Sequence, residues 1–88
     1  MSFEEIMKEL KAGALITCDR VVKGDHYEHK YSIWINCEKG KSPEMRRLHK
    51  DHMIGLLKRG VLEEDPFIKS RIAGREHFRY KDPFVKNT

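Results

Sequence analysis

The segment YEHKYSIWINC, residues 27–37, alternates in the way a half-buried β-strand does. Tyr27, His29, Tyr31, Ile33, Ile35 and Cys37 share one parity, and Glu28, Lys30, Ser32, Trp34 and Asn36 share the other. Successive side chains point to opposite sides of a strand, so the first set is the expected core face. Upstream, residues 14–22 (ALITCDRVV) read as a second strand, and Lys23-Gly24-Asp25 reads as the turn joining the two. In such a hairpin Cys18 faces roughly residue 30, and Cys37 lies beyond the end of the partner strand. Further back, Ser2 and Glu5 have capping-box spacing, and Phe3, Ile6, Met7 and Leu10 form one apolar stripe. Gly13 stands where a helix C-cap glycine belongs. A short helix therefore precedes the hairpin.

Downstream, residues 38–42 (EKGKS) read as a loop and a second helix is predicted over residues 43–59. Ser42 suits the N-cap, Pro43 the first helical position, and Glu44 the positive helix end. Gly60 closes the helix, which would then run about 25 Å. Met45, Leu48, His52, Met53, Leu56 and Leu57 fall on one arc at 100° per residue, about the helical repeat. Arg47, Lys50, Asp51 and Lys58 lie opposite, with Ile54 among them. Val61-Leu62 then returns to the core, and residues 63–66 (EEDP) lead to FIKSRI and EHFRYK around Ala73-Gly74, a hairpin candidate. Ile68 and Ile72 share parity, as do Phe78 and Tyr80, while Lys69, Arg71, Arg75, His77, Arg79 and Lys81 face the other way. The reading is α+β in the order α-β-β-α-β-β. It is one small domain over residues 1–82, with a flexible tail over 83–88.

Composition sets the class. The chain has 88 residues, 39% hydrophobic and 36% charged, which is globular rather than disordered. So short a chain buries only roughly 60–65% of its unfolded surface, leaving little interior for a water-excluding active site. MSFEEIMKEL is acidic and amphipathic, unlike a signal peptide, and no apolar run approaches the roughly 18 residues of a membrane span. Two cysteines are too few for a disulfide framework. They predict small buried thiols in a reducing, cytoplasmic setting.

Chemistry-bearing motifs are sparse. The chain lacks a Gly-rich phosphate loop, G-x-S-x-G and H-E-x-x-H, so no catalytic residue is nominated and no enzyme is expected. His29, Asp25, Glu28 and Cys18 have no spacing that singles them out. His26/His29 and His49/His52 are close pairs, but Cys18 and Cys37 have no close cysteine neighbour. Structural zinc wants four ligands in such pairs, so neither a metal site nor a cofactor is expected. Trp34, the lone tryptophan, sits on the polar face of its strand beside Lys30 and Asn36. A second layer covering it is the ordinary expectation; left open, it would stack a base or anchor a partner. Ile54 among basic neighbours is the other candidate partner contact.

Charge points to the partner. Residues 1–40 hold six Lys/Arg against seven Asp/Glu, whereas residues 41–88 hold twelve against seven, a balance of +5. A basic half suggests a surface that meets something anionic. The stretch LLKRGVLEEDP followed by GREHFRYKD is similar to the helix end, strand, wing and strand of MarR-type winged-helix regulators. That resemblance implies a winged-helix-like C-terminal half and a DNA-binding regulator of transcription. Arg46, Arg47 and Lys50 would then reach bases or phosphates from a recognition helix. Lys69, Arg71, Arg75 and Arg79 would meet the DNA backbone or minor groove. The family has a helix just before its recognition helix, where residues 27–37 here alternate as a strand. FEEIMKELKAGALIT resembles the opening of small phage-encoded proteins, among them the second family of Thoeris anti-defence proteins, which bind a cyclic-nucleotide-type signal. The expected function is thus a small basic nucleic-acid-binding protein of the phage or prophage regulator kind, working through helix 43–59 and hairpin 67–81. DNA stands ahead of RNA as its ligand. Alternatives are a phage-type inhibitor or adaptor docking on an acidic host protein, and a small-nucleotide-sequestering anti-defence protein.

Overall fold

The computed structural model describes residues 1–37, 40–64 and 74–82. Helix α1 (Phe3–Lys11) starts as its sequence dictates: Ser2 Oγ accepts from the Glu5 backbone N–H at 3.2 Å. That contact satisfies one donor which helical geometry leaves unpaired. Ile6 and Leu10 are each 1% exposed, and Phe3 and Met7 pack beside them. Gly13, at φ 107°, follows the C-cap Ala12 and turns the chain out of the helix.

Strands β1 (Leu15–Lys23) and β2 (His26–Ile35) form the expected hairpin. Lys23 pairs with His26, leaving Gly24 and Asp25 as a two-residue turn. Gly24 has φ 58°, at the position where a type II′ turn places glycine. Cys18 faces Tyr31, one residue from the expected register. Of the expected core face Ile33 and Ile35 are buried and Tyr31 is half-buried, but Tyr27, 61% exposed, and His29 lie open, so the inward alternation is confined to the second half of β2. Asn36 takes a left-handed φ of 57°, which carries Cys37 off the core face. Cys37 is exposed and Cys18 half-buried, so the expectation of two buried thiols is corrected.

The largest departure follows. Residues 44–48 are not the first turns of a helix but strand β3 (Glu44–Leu48), and helix α2 (Lys50–Arg59) begins only after it. The element order is therefore α-β-β-β-α-β-β, still α+β. Ser42-Pro43-Glu44 is a local helix signal, and local propensity is a weak prior. Tertiary demand overrides it, because the buried Ile33 and Ile35 need backbone partners on the outer side of β2. Arg46 and Glu44, opposite Ile33 and Ile35, supply them. His49 takes over the N-cap, its Nδ1 accepting from the Asp51 N–H at 3.1 Å, and Gly60 at φ 66° ends the helix as expected. Met45 and Leu57, assigned to the core arc of a longer helix, are each 53% exposed. Leu48, Met53 and Leu56 are buried.

The chain closes with β4 (Leu62–Glu64) and β5 (Arg75–Tyr80). Residues 78–80 pair with residues 62–64, and residues 75–78 pair with β1. The expected strand 67–72, with Ile68, Lys69, Arg71 and Ile72, lies outside the described residues, as do Ala73 and the tail 83–88. All neighbours in the five-stranded sheet are antiparallel, in the order β3-β2-β1-β5-β4. Ile16, Ile33, Ile35 and Leu48 of the sheet join Ile6 and Leu10 of α1 and Met53 and Leu56 of α2 in one core, with Phe78 and Tyr80 against it. Both helices therefore cover the same face. They meet where Phe3 crosses Gly55, and a Cβ at that glycine would stand 3.2 Å from the Phe3 ring.

Candidate nucleic-acid interface

The other face of the sheet follows from parity. Trp34 stands between Leu15 and Met45, Ser32 between Thr17 and Arg47, and Asp19 between Lys30 and Arg75. His77 lies opposite Thr17, and Arg79 opposite Glu63. All of these point away from the buried set headed by Ile16 and Ile33. Among the described residues, neither helix packs on this face.

Its cations are not equally available. Arg75 grips Asp19 through two contacts, Nε to Oδ1 at 2.5 Å and Nη2 to Oδ2 at 3.0 Å. Arg79 Nε lies 2.8 Å from Glu63 Oε1. Arg46 is 3.4 Å from Glu44 Oε1 and shares its parity with Ile33, so it faces the helix side of the sheet edge. Of the seven basic residues expected to bind nucleic acid, these three already carry a carboxylate partner. Lys69 and Arg71 lie outside the described residues. Arg47 and Lys50 remain.

The Arg75–Asp19 pair has a measurable signature. Its guanidinium holds the Asp19 carboxyl below its ordinary value, against a smaller upward push from burial. A depressed carboxylate adds stability that is present above the unfolded pKa, near 3.9, and is lost as pH falls through the folded value. Asp19→Asn should therefore cost on the order of 1 kcal/mol near neutral pH. The deficit relative to wild type should shrink as pH falls below about 4. Urea unfolding of both proteins across that range checks it, and a deficit independent of pH would contradict the assignment.

Arg47 and Lys50 converge with two lysines that sequence reasoning did not single out. β3 stops at Leu48, opposite Tyr31, so the outer edge of β2 from Lys30 back to His26 has no strand beside it among the described residues. The result is a notch of about 480 Å³ where Lys23, Lys30, Arg47 and Lys50 meet His29 and His49. Glu28, its single carboxylate, is 2.7 Å from Lys23 Nζ, and that neighbour lowers its pKa. Four cations against one carboxylate leave +3 with the histidines neutral. The available signal was the shared parity of Lys30 with Trp34. It lacked the end of β3 that opens the edge.

The two candidate partner contacts separate. Trp34 lies half-buried on the open face, its Nε1–H donating to Thr17 Oγ1 at 3.1 Å. Ile54 is 39% exposed on α2, beyond the opposite face. One flat partner cannot reach both.

A second hollow, about 330 Å³, lies on the helix side and holds Cys18, His29, Tyr31, Arg20 and Glu76. Cys18 Sγ is 3.7 Å from His29 Nδ1. Burial raises the thiol pKa, and the charges of Glu76 and Asp19 raise it further. The nucleophile of thiol chemistry is the thiolate, which this setting disfavours. Among the described residues no three His, Cys, Asp or Glu side chains are placed to hold a metal ion, and no helix is long and apolar enough to cross a membrane. α2, β4 and β5 do follow one another in the helix–strand–strand order of a winged helix, but strand β3 occupies the place of its preceding helix. The chain matches no protein-family model, no curated protein sequence and no solved structure.

Proposed function

We propose that this chain is a small nucleic-acid-binding domain whose phosphate contacts lie in the notch between β2, β3 and the start of α2. The observation that supports the reading is the convergence there of Lys23, Lys30, Arg47 and Lys50 against one carboxylate. Phosphate neutralisation dominates nucleic-acid affinity, and of these four cations Lys30, Arg47 and Lys50 carry no carboxylate partner among the described residues, while Lys23 is paired with Glu28. Arg75 and Arg79, engaged with Asp19 and Glu63, play a secondary part. No catalytic step is assigned.

Fluorescence-anisotropy titration with short DNA and RNA strands at several salt concentrations tests this. If each of the four cations meets one phosphate, log affinity against log salt should fall with a slope of about −3 on single strands and somewhat steeper on duplex. Arg75→Gln and Arg79→Gln should shift that slope little. Absence of binding even at low salt would sink the proposal. The notch would then be better read as a dock for an acidic protein surface.

A further inference from the structure

Resting on that reading, we infer that the ligand is single-stranded and that one unpaired base stacks on Trp34. Beside the indole, on the open face of the sheet, lies a hollow of about 330 Å³. Leu15, Trp34 and Pro43 form its apolar lining, and Thr17, His77 and Arg75 its polar edge. That volume is at the lower end of small-ligand pockets, roughly 300–1,000 Å³. The indole Nε1–H is already spent on Thr17, which fixes the ring and leaves its π-face as the remaining binding surface. Every base has a complementary π-face, so such a platform accepts unpaired bases irrespective of sequence.

Position ties the hollow to the notch. Along β2 the open face runs Trp34, Ser32, Lys30, and Arg47 stands directly opposite Ser32 on β3. Trp34 and Lys30 are four residues apart, about 13 Å at strand rise. A strand with one base on Trp34 therefore passes Arg47 and Lys30 on its way into the notch. A duplex keeps its bases paired inside the helix and can offer only phosphates to the same surface. Aromatic platform and cationic track on one face are the two parts of a single-strand site.

Trp34 is the only tryptophan, so fluorescence excited at the red edge of indole absorption, where the three tyrosines do not absorb, reports on it alone. The probes are a mixed-sequence DNA strand of about ten nucleotides, the same strand with every base removed, and the corresponding duplex. The intact strand should quench Trp34 saturably and bind roughly tenfold or more tightly than the abasic strand. Trp34→Ala should weaken that binding by roughly 10- to 100-fold, and Trp34→Phe should retain most of it. Equal affinity for intact and abasic strands would overturn the inference while leaving the notch as a phosphate site. A folded Trp34→Ala protein that binds as wild type does would have the same force. If neither strand binds at low salt, both readings fall. Should Trp34→Ala not fold, the abasic comparison on the wild-type chain and the Trp34→Phe variant still decide.

Discussion

Ile33→Asp should leave no folded protein. Ile33 is 0% exposed, opposite Ile16 on one side and Arg46 on the other, beneath the helix layer. A carboxylate there must be buried ionised without a dedicated partner, or stay neutral and still lose its water, at a cost of several kcal/mol. Removing the isoleucine packing costs roughly 2–5 kcal/mol more. An ordinary domain of this length has only about 4–13 kcal/mol of total stability. Ser32→Asp, one residue away, places the same charge on the open face beside Arg47 and should fold. Circular dichroism and urea titration of the two variants make the comparison. Native-like spectra and midpoint for Ile33→Asp would show that the strand parity is wrong.

Reversing Lys30, Arg47 and Lys50 together to glutamate should abolish nucleic-acid binding. The substitution turns the notch from +3 to −3, since each reversal changes the charge by two. Three lost phosphate contacts and three new repulsions amount to roughly a thousandfold or greater loss at moderate salt. Net charge alone cannot explain such a loss if a matched control survives. Lys8→Glu, Lys11→Glu and Lys58→Glu make the same change on exposed helix positions away from the notch. That control should weaken binding far less, through long-range charge only. Equal losses in the two triple variants, both folded by circular dichroism, would remove the notch as the site.

The sequence made the first hairpin and α1 legible because their signals are local. Ser2 caps its own helix, Gly24 turns its own hairpin, and Ile33 and Ile35 announce their face by alternation. β3 was hidden for the opposite reason. Ser42-Pro43-Glu44 is a helix start by local rules, and the unfilled edge of β2 draws the chain from Glu44 onward into a strand instead. That one change separates Arg46 from Arg47. Adjacent positions that a helix would have kept within one basic surface point to opposite sides of a sheet. The partners of the C-terminal arginines were equally out of reach. Asp19 is 56 residues from Arg75, and Glu63 is 16 from Arg79, so no window of sequence shows that those cations are spent. The parity expected for Phe78 and Tyr80 survives: both pack against the core, Tyr80 opposite Leu62 and Phe78 between Glu64 and Ile16. Lys23 and Lys30 emerged only once the sheet was assembled.

β3 also bears on how a second copy of the chain would be received. It is the terminal strand of the sheet among the described residues, and an uncovered edge of that kind is the template on which sheets extend from one molecule to the next. Its five residues are EMRRL, and the antiparallel register that would pair all five with a second copy sets Arg46 against Arg46. Like charges directly opposite destabilise such a pairing. The residues that displaced the first turns of a helix thus act as a gatekeeper, discouraging edge-to-edge polymerisation of a domain too small to hide its sheet.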